Sequence, residues 1–438
     1  TSIGVGDVVS LRSTKVVEEA ARSAGKSASS ATGPAEEVES IQGVVSRMTD
    51  LVIHIVADES ISDLPEPLRL DKLFNEATFV KLSACRARLE TCHADHPAFS
   101  LREIAFGREP LVPWKDVELS RNYSPATQVP ASFFNRHLDP SQQEAVSRAL
   151  ARPDFALIHG PPGTGKTTAL IEFICQATAR GQKLLVTAPS NVAVDNIVER
   201  LLRVAPSLKL CRLGHPARFS EAVQSVSLDV LISQGDNAAL VQDIHQEMDT
   251  LLQAGKKKRL SYAENKQRWR DWRALKKEAR ERERAAEVAL LGSVQVMLST
   301  LVTAASHRLK GLIFDCVVID EVAQSLEIAC WIPLLNGKKA VLAGDDLQLG
   351  PTILSEKAGA QGFSRTLFAR LRSHYGDECC TLLNVQYRMH DTICQWSSTA
   401  MYQGKLTSDG TVAAHTLESC PSRCLHPKHA ASANVIEG

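Results

Sequence analysis

The sequence predicts an α/β fold in which a parallel sheet is covered by helices. From residue 138 onward, short continuous apolar runs alternate with helical patterns: FALIHG, KLLVTAP, LKLCRLG, VQVMLST, CVVIDE and AVLAGD. Runs that are apolar throughout, rather than at every second position, mark strands buried on both faces, and a parallel sheet needs helices for its crossovers. A glycine-rich loop, GPPGTGKTT, follows the first run and opens the helical pattern TTALIEFICQATA, so strand, loop and helix form one unit.

At 438 residues the chain has room for two or three domains. Lysine plus arginine equals aspartate plus glutamate, 50 against 50, so no overall field draws the molecule to a polyanion, and any such site is local. Eleven scattered cysteines lack the spacing of a disulfide framework; they read as small core residues in a reducing cytoplasmic or nuclear compartment. No apolar run approaches the roughly 18 residues that span a bilayer, and no signal-peptide pattern opens the chain, so a soluble protein with no membrane partner is expected. The opening TSIGVGDVV lacks a methionine and reads as a cut end inside a strand region.

Residues 1–70 carry the β-signals GDVVSLR, IQGVVSRM and LVIHIVAD, with a turn at Thr49-Asp50, and predict a small sheet or partial β-barrel as an accessory domain. Between them, residues 23–37 are poor in large apolar groups and predict a flexible loop. Residues 71–137 read as a helical connector. Phe79, Leu82, Ala84 and Leu89 have helical spacing, and a proline-containing stretch runs on to Pro130. LDPSQQEAVSRAL, residues 138–150, predicts a capped helix that opens the first α/β domain, expected over 138–352.

Residues 229–288 lack strand texture and predict a helical insertion, within which 256–287 hold 13 Lys or Arg against 6 Asp or Glu. Such a segment is ordinarily a solvated face; the sharper reading is a basic prong that touches phosphates. Trp269 and Trp272, three apart with Leu275 following, predict packing of one helix on its partner rather than stacking on bases.

Gly160, Pro161, Pro162, Gly163, Thr164, Gly165, Lys166 and Thr167, with Thr168 behind them, fit G-x-x-x-x-G-K-[ST] in the context the motif requires. Glycines let successive N–H groups face phosphates, and a helix N-terminus stands behind them. ATP and Mg²⁺ are the cofactors this predicts: Lys166 reaches the β- and γ-phosphates, and the Thr167 hydroxyl completes the metal's coordination. VVIDE ends in Asp320 and Glu321 at the carboxyl edge of a strand, where open α/β sheets do their chemistry. Asp320 suits Mg²⁺, and Glu321 suits the attacking water. Gln348, after the strand AVLAGD, is alone more often a loop amide than a phosphate sensor.

Six motifs now stand in order: GPPGTGKTT, TAPSNVAVDN (187–196), LGHPAR (213–218), IDEVAQ (319–324), AGDDLQLGP (343–351) and VQYRMH (385–390). This set resembles superfamily 1 helicases of the up-frameshift-like group, densely over 138–407 and loosely before it. The resemblance implies two RecA-like domains closing on ATP, with a β-barrel and a helical insertion decorating the first. It implies an ATP-dependent helicase or translocase acting on single-stranded DNA or RNA and tailed duplexes, 5′ to 3′. Residue by residue, Gln142 resembles the adenine-reading glutamine and Tyr387 a residue lining the adenine pocket. Gln348 takes the γ-phosphate role, and Arg388 resembles the arginine that reaches that phosphate from the second domain. Pro189, Ser190 and Asn191 resemble a contact to the single-stranded backbone, as do Ser299 and Thr300.

Two departures qualify this. The family usually continues QLPP after the sensing glutamine, whereas here Gly350 precedes Pro351, which puts coupling between domains in question. After residue 408 the motif resemblance stops, so 353–438 are expected to be an incomplete second RecA-like domain with an irregular tail. The alternative function is therefore a protein that binds ATP and strand without efficient motor activity. In the tail, Cys420, Cys424, His426 and His429 suggest zinc by type but not by spacing, and an accidental cluster is expected.

Overall fold

The computed structural model describes residue 3 and residues 8–13, 41–49, 51–57, 68–72, 76–120, 132–234, 243–244, 246–251 and 262–416. The chain divides into two compact units, Thr1–Ala84 and Cys85–Gly438. Asp50, the loop at 23–37, Lys256–Arg259 and the cluster Cys420, Cys424, His426 and His429 lie outside the described residues.

In the first unit, β1 (Val8–Ser13), β2 (Ile41–Met48), β3 (Ile53–Ala57) and β4 (Leu68–Lys72) form an antiparallel sheet in the order β3-β2-β1-β4. Ile41 and Val45 on β2 are buried with a two-residue period, and on the central strand β1 Val9, Ser10 and Leu11 are all buried. The turn between β2 and β3 forms where expected: Thr49 N–H donates to the Val52 carbonyl at 2.8 Å, and Val52 N–H donates to Thr49 Oγ1 at 3.1 Å. β4, with its sequence LRLDK, carries too much charge to read as a strand; it forms one edge, where charge is tolerated because only one neighbour pairs with it. Among the described residues the sheet is open, with β3 and β4 at its margins.

Helix α1 (Glu76–Glu90) is followed by two short helices, α2 (Phe99–Ala105) and α3 (Trp114–Ser120), in the stretch read as a connector. Their surroundings are anchored to the second unit's body. Tyr375 Oη donates to the Ile104 carbonyl at 2.6 Å, buried Arg152 donates to the Val112 carbonyl at 2.8 Å, and Phe106 stacks on Trp331 at 5.9 Å.

All six apolar runs form strands of one parallel sheet: β5 (Phe155–His159), β6 (Leu184–Ala188), β7 (Leu210–Arg212), β8 (Val296–Thr300), β9 (Cys316–Ile319) and β10 (Ala340–Gly344). The seventh, β11 (Cys380–Leu382), comes from beyond residue 352 and pairs with β5, giving the order β11-β5-β10-β9-β6-β8-β7. The first sheet thus extends past the expected boundary at residue 352. Crossover helices include α4 (Pro140–Ala151), α5 (Lys166–Ala179) and α6 (Asn191–Val204), whose apolar faces pack on the buried strands.

The insertion consists of a helix at Leu228–Ser233, helical residues 246–251 and α7 (Tyr262–Ser293), which spans 32 residues. Trp269 and Trp272 meet edge to face at 5.6 Å on α7, and Arg268 donates to the Leu251 carbonyl at 3.3 Å. The two rings meet on one helix and Trp269 is exposed, so their contact is within α7 rather than with a partner helix. After α8 (Glu327–Leu334) and α9 (Leu367–Tyr375), a two-stranded sheet follows within the second unit, in which β12 (Val385–Gln386) and β13 (Thr407–Ser408) pair in parallel with α10 (Asp391–Met401) between them. Strand, helix and strand here form one βαβ unit. None of the described helices is long and apolar enough to cross a membrane, and the nine described cysteines are free and buried.

Candidate active site

The phosphate cradle is built from the end of β5 to the first turn of α5. Gly163 and Gly165 take φ of 80° and 72°, a region that L side chains avoid. A Cβ on Gly160 would lie 2.8 Å from Lys166 Cβ, one on Gly163 would lie 2.6 Å from Arg388 Cβ, and one on Gly165 would lie 2.5 Å from Gln142 Nε2. All three glycines are thus required by close approach. Buried Thr164 closes the loop by donating from Oγ1 to the Pro161 carbonyl at 2.8 Å, while Pro162 stiffens it from a half-buried position. Thr167 and Thr168, half-buried, occupy the first turn of α5, where helix N–H groups lack intrahelical partners.

Gln142 is engaged at both ends of its amide in this structure. Asp139 caps α4, accepting the Gln142 N–H at Oδ1 at 3.0 Å, and Gln142 Oε1 accepts the Asp139 N–H at 3.2 Å. The amide's other end donates to the Thr164 carbonyl at 2.9 Å. Buried in this way, Gln142 braces the cradle against the helix cap. Tyr387 is held at the same corner: its N–H donates to the Gly163 carbonyl at 2.9 Å and its hydroxyl to Asp139 Oδ2 at 3.2 Å. Burial, then the neighbouring Asp139, pushes the Tyr387 phenol up to about 12.

Lys166 faces the two acids at the end of β9. Its Nζ lies 2.8 Å from Glu321 Oε1 and 3.8 Å from Asp320 Oδ1. Glu321 sits in the left-handed region at φ 52°, its N–H donating to Asp320 Oδ1 at 2.8 Å and its Oε2 accepting from Gln324 Nε2 at 3.1 Å. Left-handed backbone costs a non-glycine residue about 1–2 kcal/mol, so the surrounding fold imposes this turn. Gly344 of β10 leaves room for it, since a Cβ there would lie 3.1 Å from the Ala323 nitrogen. Burial pushes the Asp320 carboxyl up to about 6, against the pull of Lys166. A buried carboxylate short of compensating charge, together with the hard oxygen of the Thr167 hydroxyl, fits a divalent cation such as Mg²⁺.

Gln348, on the exposed edge, donates from Nε2 to Asp345 Oδ2 at 2.6 Å. Arg388 is also exposed, with its Cβ against Gly163 and its N–H donating to Gln386 Oε1 at 2.7 Å. Phosphate cradle, acids and Arg388 therefore surround one region. Gly350 has an ordinary φ and open space around it, so the departure from QLPP demands no special backbone there.

The expected strand-contact residues lie along the same sheet edge. Ser190 caps α6, its Oγ accepting the Ala193 N–H at 3.1 Å. Asn191 Oδ1 accepts from Arg212 Nη2 at 2.9 Å, and Arg212, fully buried, also pairs with Asp195 at 3.0 Å. Thr300 lies in register with Ala188, just before Pro189, and shares a hydrogen bond with Thr303 at 2.8 Å. Ser299 is fully buried with its Oγ turned to the Thr300 carbonyl, so it does not reach a strand in this structure. Ser299 and Thr300 are the last two residues of β8, and their side chains leave it on opposite faces.

A sequence profile described as "AAA domain" matches residues 137–356, half of the chain. The chain belongs to the AAA-domain family. A second profile of the same description matches residues 363–435 and carries the likeness past residue 408, where the motifs had run out. "DNA-binding protein SMUBP-2" of Rattus norvegicus is 43% identical over 390 residues, covering 86% of this chain and 38% of that protein. "DNA polymerase alpha-associated DNA helicase A" of Schizosaccharomyces pombe is 35% identical over 408 residues, covering 92% of this chain and 57% of its own length. "Regulator of nonsense transcripts 1 homolog" of Drosophila melanogaster is 38% identical over 272 residues, 61% of this chain and 21% of that one. Within the AAA-domain family the chain is thus a superfamily 1 helicase relative of the up-frameshift-like group with a RecA-like sheet, and it spans less than two thirds of the length of these relatives.

Proposed function

We propose that this chain is the ATP-hydrolysing part of a helicase that moves along single-stranded DNA or RNA, 5′ to 3′, and opens tailed duplexes in the nucleus or cytoplasm. The observation that carries the reading is Lys166 held between Asp320 and Glu321, at 3.8 and 2.8 Å, at the carboxyl edge of the sheet. Binding a nucleotide calls for one acid; hydrolysis calls for the second. Phosphates draw Lys166 away from Glu321, which frees that carboxylate to orient and deprotonate water. Mg²⁺ held by Thr167 and Asp320 supplies charge neutralisation at the phosphate oxygens. Arg388 approaches from the other side with a planar fork that matches phosphate oxygens and keeps its charge. Pro189, Ser190, Asn191 and Thr300 offer the strand a polar edge that reads backbone rather than base.

The test is the ATPase rate of the chain with and without single-stranded DNA or RNA, followed by strand displacement on a tailed duplex. Strand-stimulated hydrolysis is the expected result. A rate that neither strand changes would remove the translocase reading.

A further inference from the structure

We propose that Tyr402 is a positioning residue for the nucleotide site, coupling Gln348 to the βαβ unit that carries Arg388. This rests on reading Gln348 as the group that meets the terminal phosphate. The evidence centres on Asp345, at the end of β10. Its Oδ1 lies 3.0 Å from His159 Nε2 and accepts the Leu347 N–H at 3.1 Å. Its Oδ2 accepts from Gln348 Nε2 at 2.6 Å and from the Tyr402 hydroxyl at 2.7 Å.

These partners come from three functional places. His159 is the last residue of β5, directly before the cradle. Gln348 is the proposed sensor. Tyr402 follows α10 and is buried with Cys394, Leu406 and Leu347 in a small core of its own. Burial raises the Asp345 carboxyl, but the bonds from His159, Gln348 and Tyr402 outweigh it and hold the group below the usual carboxylate range. The carboxylate is therefore an anion with its acceptor positions in use.

A cation site is the competing reading, since ligand atoms of His159, Asp345 and Asp346 lie within 4.8 Å of one another. It fails on the partners. Both oxygens of Asp345 already meet donors, and Arg372 pairs with Asp346 at 2.8 Å.

Gln348 and Tyr402 share one oxygen. When the glutamine amide turns away from Oδ2 towards a phosphate, a buried acceptor loses a donor, and that loss is costly. The Tyr402 hydroxyl keeps Oδ2 satisfied when the amide departs. Without that hydroxyl, Gln348 is the side-chain donor remaining on Oδ2 and is held back from the nucleotide. Conversely, each departure of the amide tightens the hold of Asp345 on Tyr402, and so on the unit that presents Arg388.

The experiment is equilibrium binding of ADP and of a non-hydrolysable ATP analogue, each with Mg²⁺, to the wild-type chain, Tyr402→Phe, Gln348→Ala and the double variant. Thermal unfolding confirms that each is folded. Both single variants should lower the preference for triphosphate over diphosphate by about three- to tenfold, with ADP affinity within about twofold of wild type. The double variant should lose no more than Gln348→Ala, because Tyr402 acts through Gln348. A reduced preference in Gln348→Ala beside an unchanged one in Tyr402→Phe overturns the proposal and leaves the sensor reading standing. An unchanged preference in Gln348→Ala overturns both.

Discussion

Tyr387 donates its main-chain N–H to the Gly163 carbonyl at 2.9 Å, so the phosphate cradle and the segment that carries Arg388 are tied by backbone rather than by side chains alone. Side-chain substitution at Tyr387 leaves that bond in place. Substitution at Gly163 does not, because its φ of 80° and the nearby Arg388 Cβ both exclude a methyl group. Gly163→Ala should destabilise the fold by about 1–2 kcal/mol from backbone strain alone, with the clash in addition. Gly350→Ala, in open space at an ordinary φ, should be neutral within about 0.5 kcal/mol. Thermal unfolding of the two variants side by side decides this, and equal losses would refute it.

Lys166→Ala should weaken ATP binding by about 10- to 100-fold, the worth of hydrogen bonds to a charged group. Glu321→Gln should bind ATP nearly as well as wild type and lose at least about 100-fold in kcat, since the glutamate acts on water in the transition state. Nucleotide affinity and turnover measured separately distinguish the two roles. Equal losses of affinity would count against them.

Lys339 is buried at the start of β10, its Nζ donating to the Leu150 carbonyl at 3.0 Å. Burial pulls its pKa from 10.5 to about 8. Between those two values the unfolded chain binds the proton and the folded chain does not, so stability rises with pH there; the cost is present in full below about pH 8. The gap corresponds to on the order of 3 kcal/mol. Lys339→Met should therefore be more stable than wild type at pH 7, and the difference should shrink between pH 8 and 10. A difference that stays constant across that range would show that the ammonium is not the source.

On α7, Trp272, Arg273, Lys276, Lys277, Arg280, Glu281 and Arg284 line one face, with Lys276 Nζ 4.6 Å from the Trp272 ring centroid. If this face meets a phosphate backbone, replacing Arg273, Arg280 and Arg284 with Gln should flatten the log–log salt dependence of strand binding by about 0.7 for each phosphate no longer neutralised. An unchanged slope would return α7 to a solvated helix.

The six strands were legible because each lies in an apolar-rich run set between helical patterns, and the capped start of α4 was legible because Asp139 and Gln142 have the spacing of a capping box. β11 was not, because its place in the first sheet depends on pairing with β5, far back in the chain, and no local pattern marks that pairing. The candidate site divides in the same way. Lys166, Asp320 and Glu321 lie in local patterns that name their chemistry. Arg212, Asp345, His159 and Tyr402 do not: Tyr402 stands 57 residues from Asp345, and no local spacing marks a hydroxyl for a carboxylate at that separation. The left-handed turn at Glu321 was equally silent, since it is imposed by neighbours and not by the glutamate.

The strand order also sets a timetable for synthesis. β5, which carries the phosphate cradle, pairs only with β10 and β11, which are translated more than 180 and more than 220 residues later. At roughly 5–20 residues per second, both edges of this apolar strand wait on the order of ten seconds or more without a partner after leaving the ribosome. A nascent chain arrested before residue 340 thus presents two open edges, the condition that invites aggregation and chaperone capture. Arrested chains of increasing length, probed with protease, should show the segment at 155–159 exposed until β10 has emerged and protected once β11 follows. Birth of the nucleotide site is therefore a late event in translation, although its signature motif is made early.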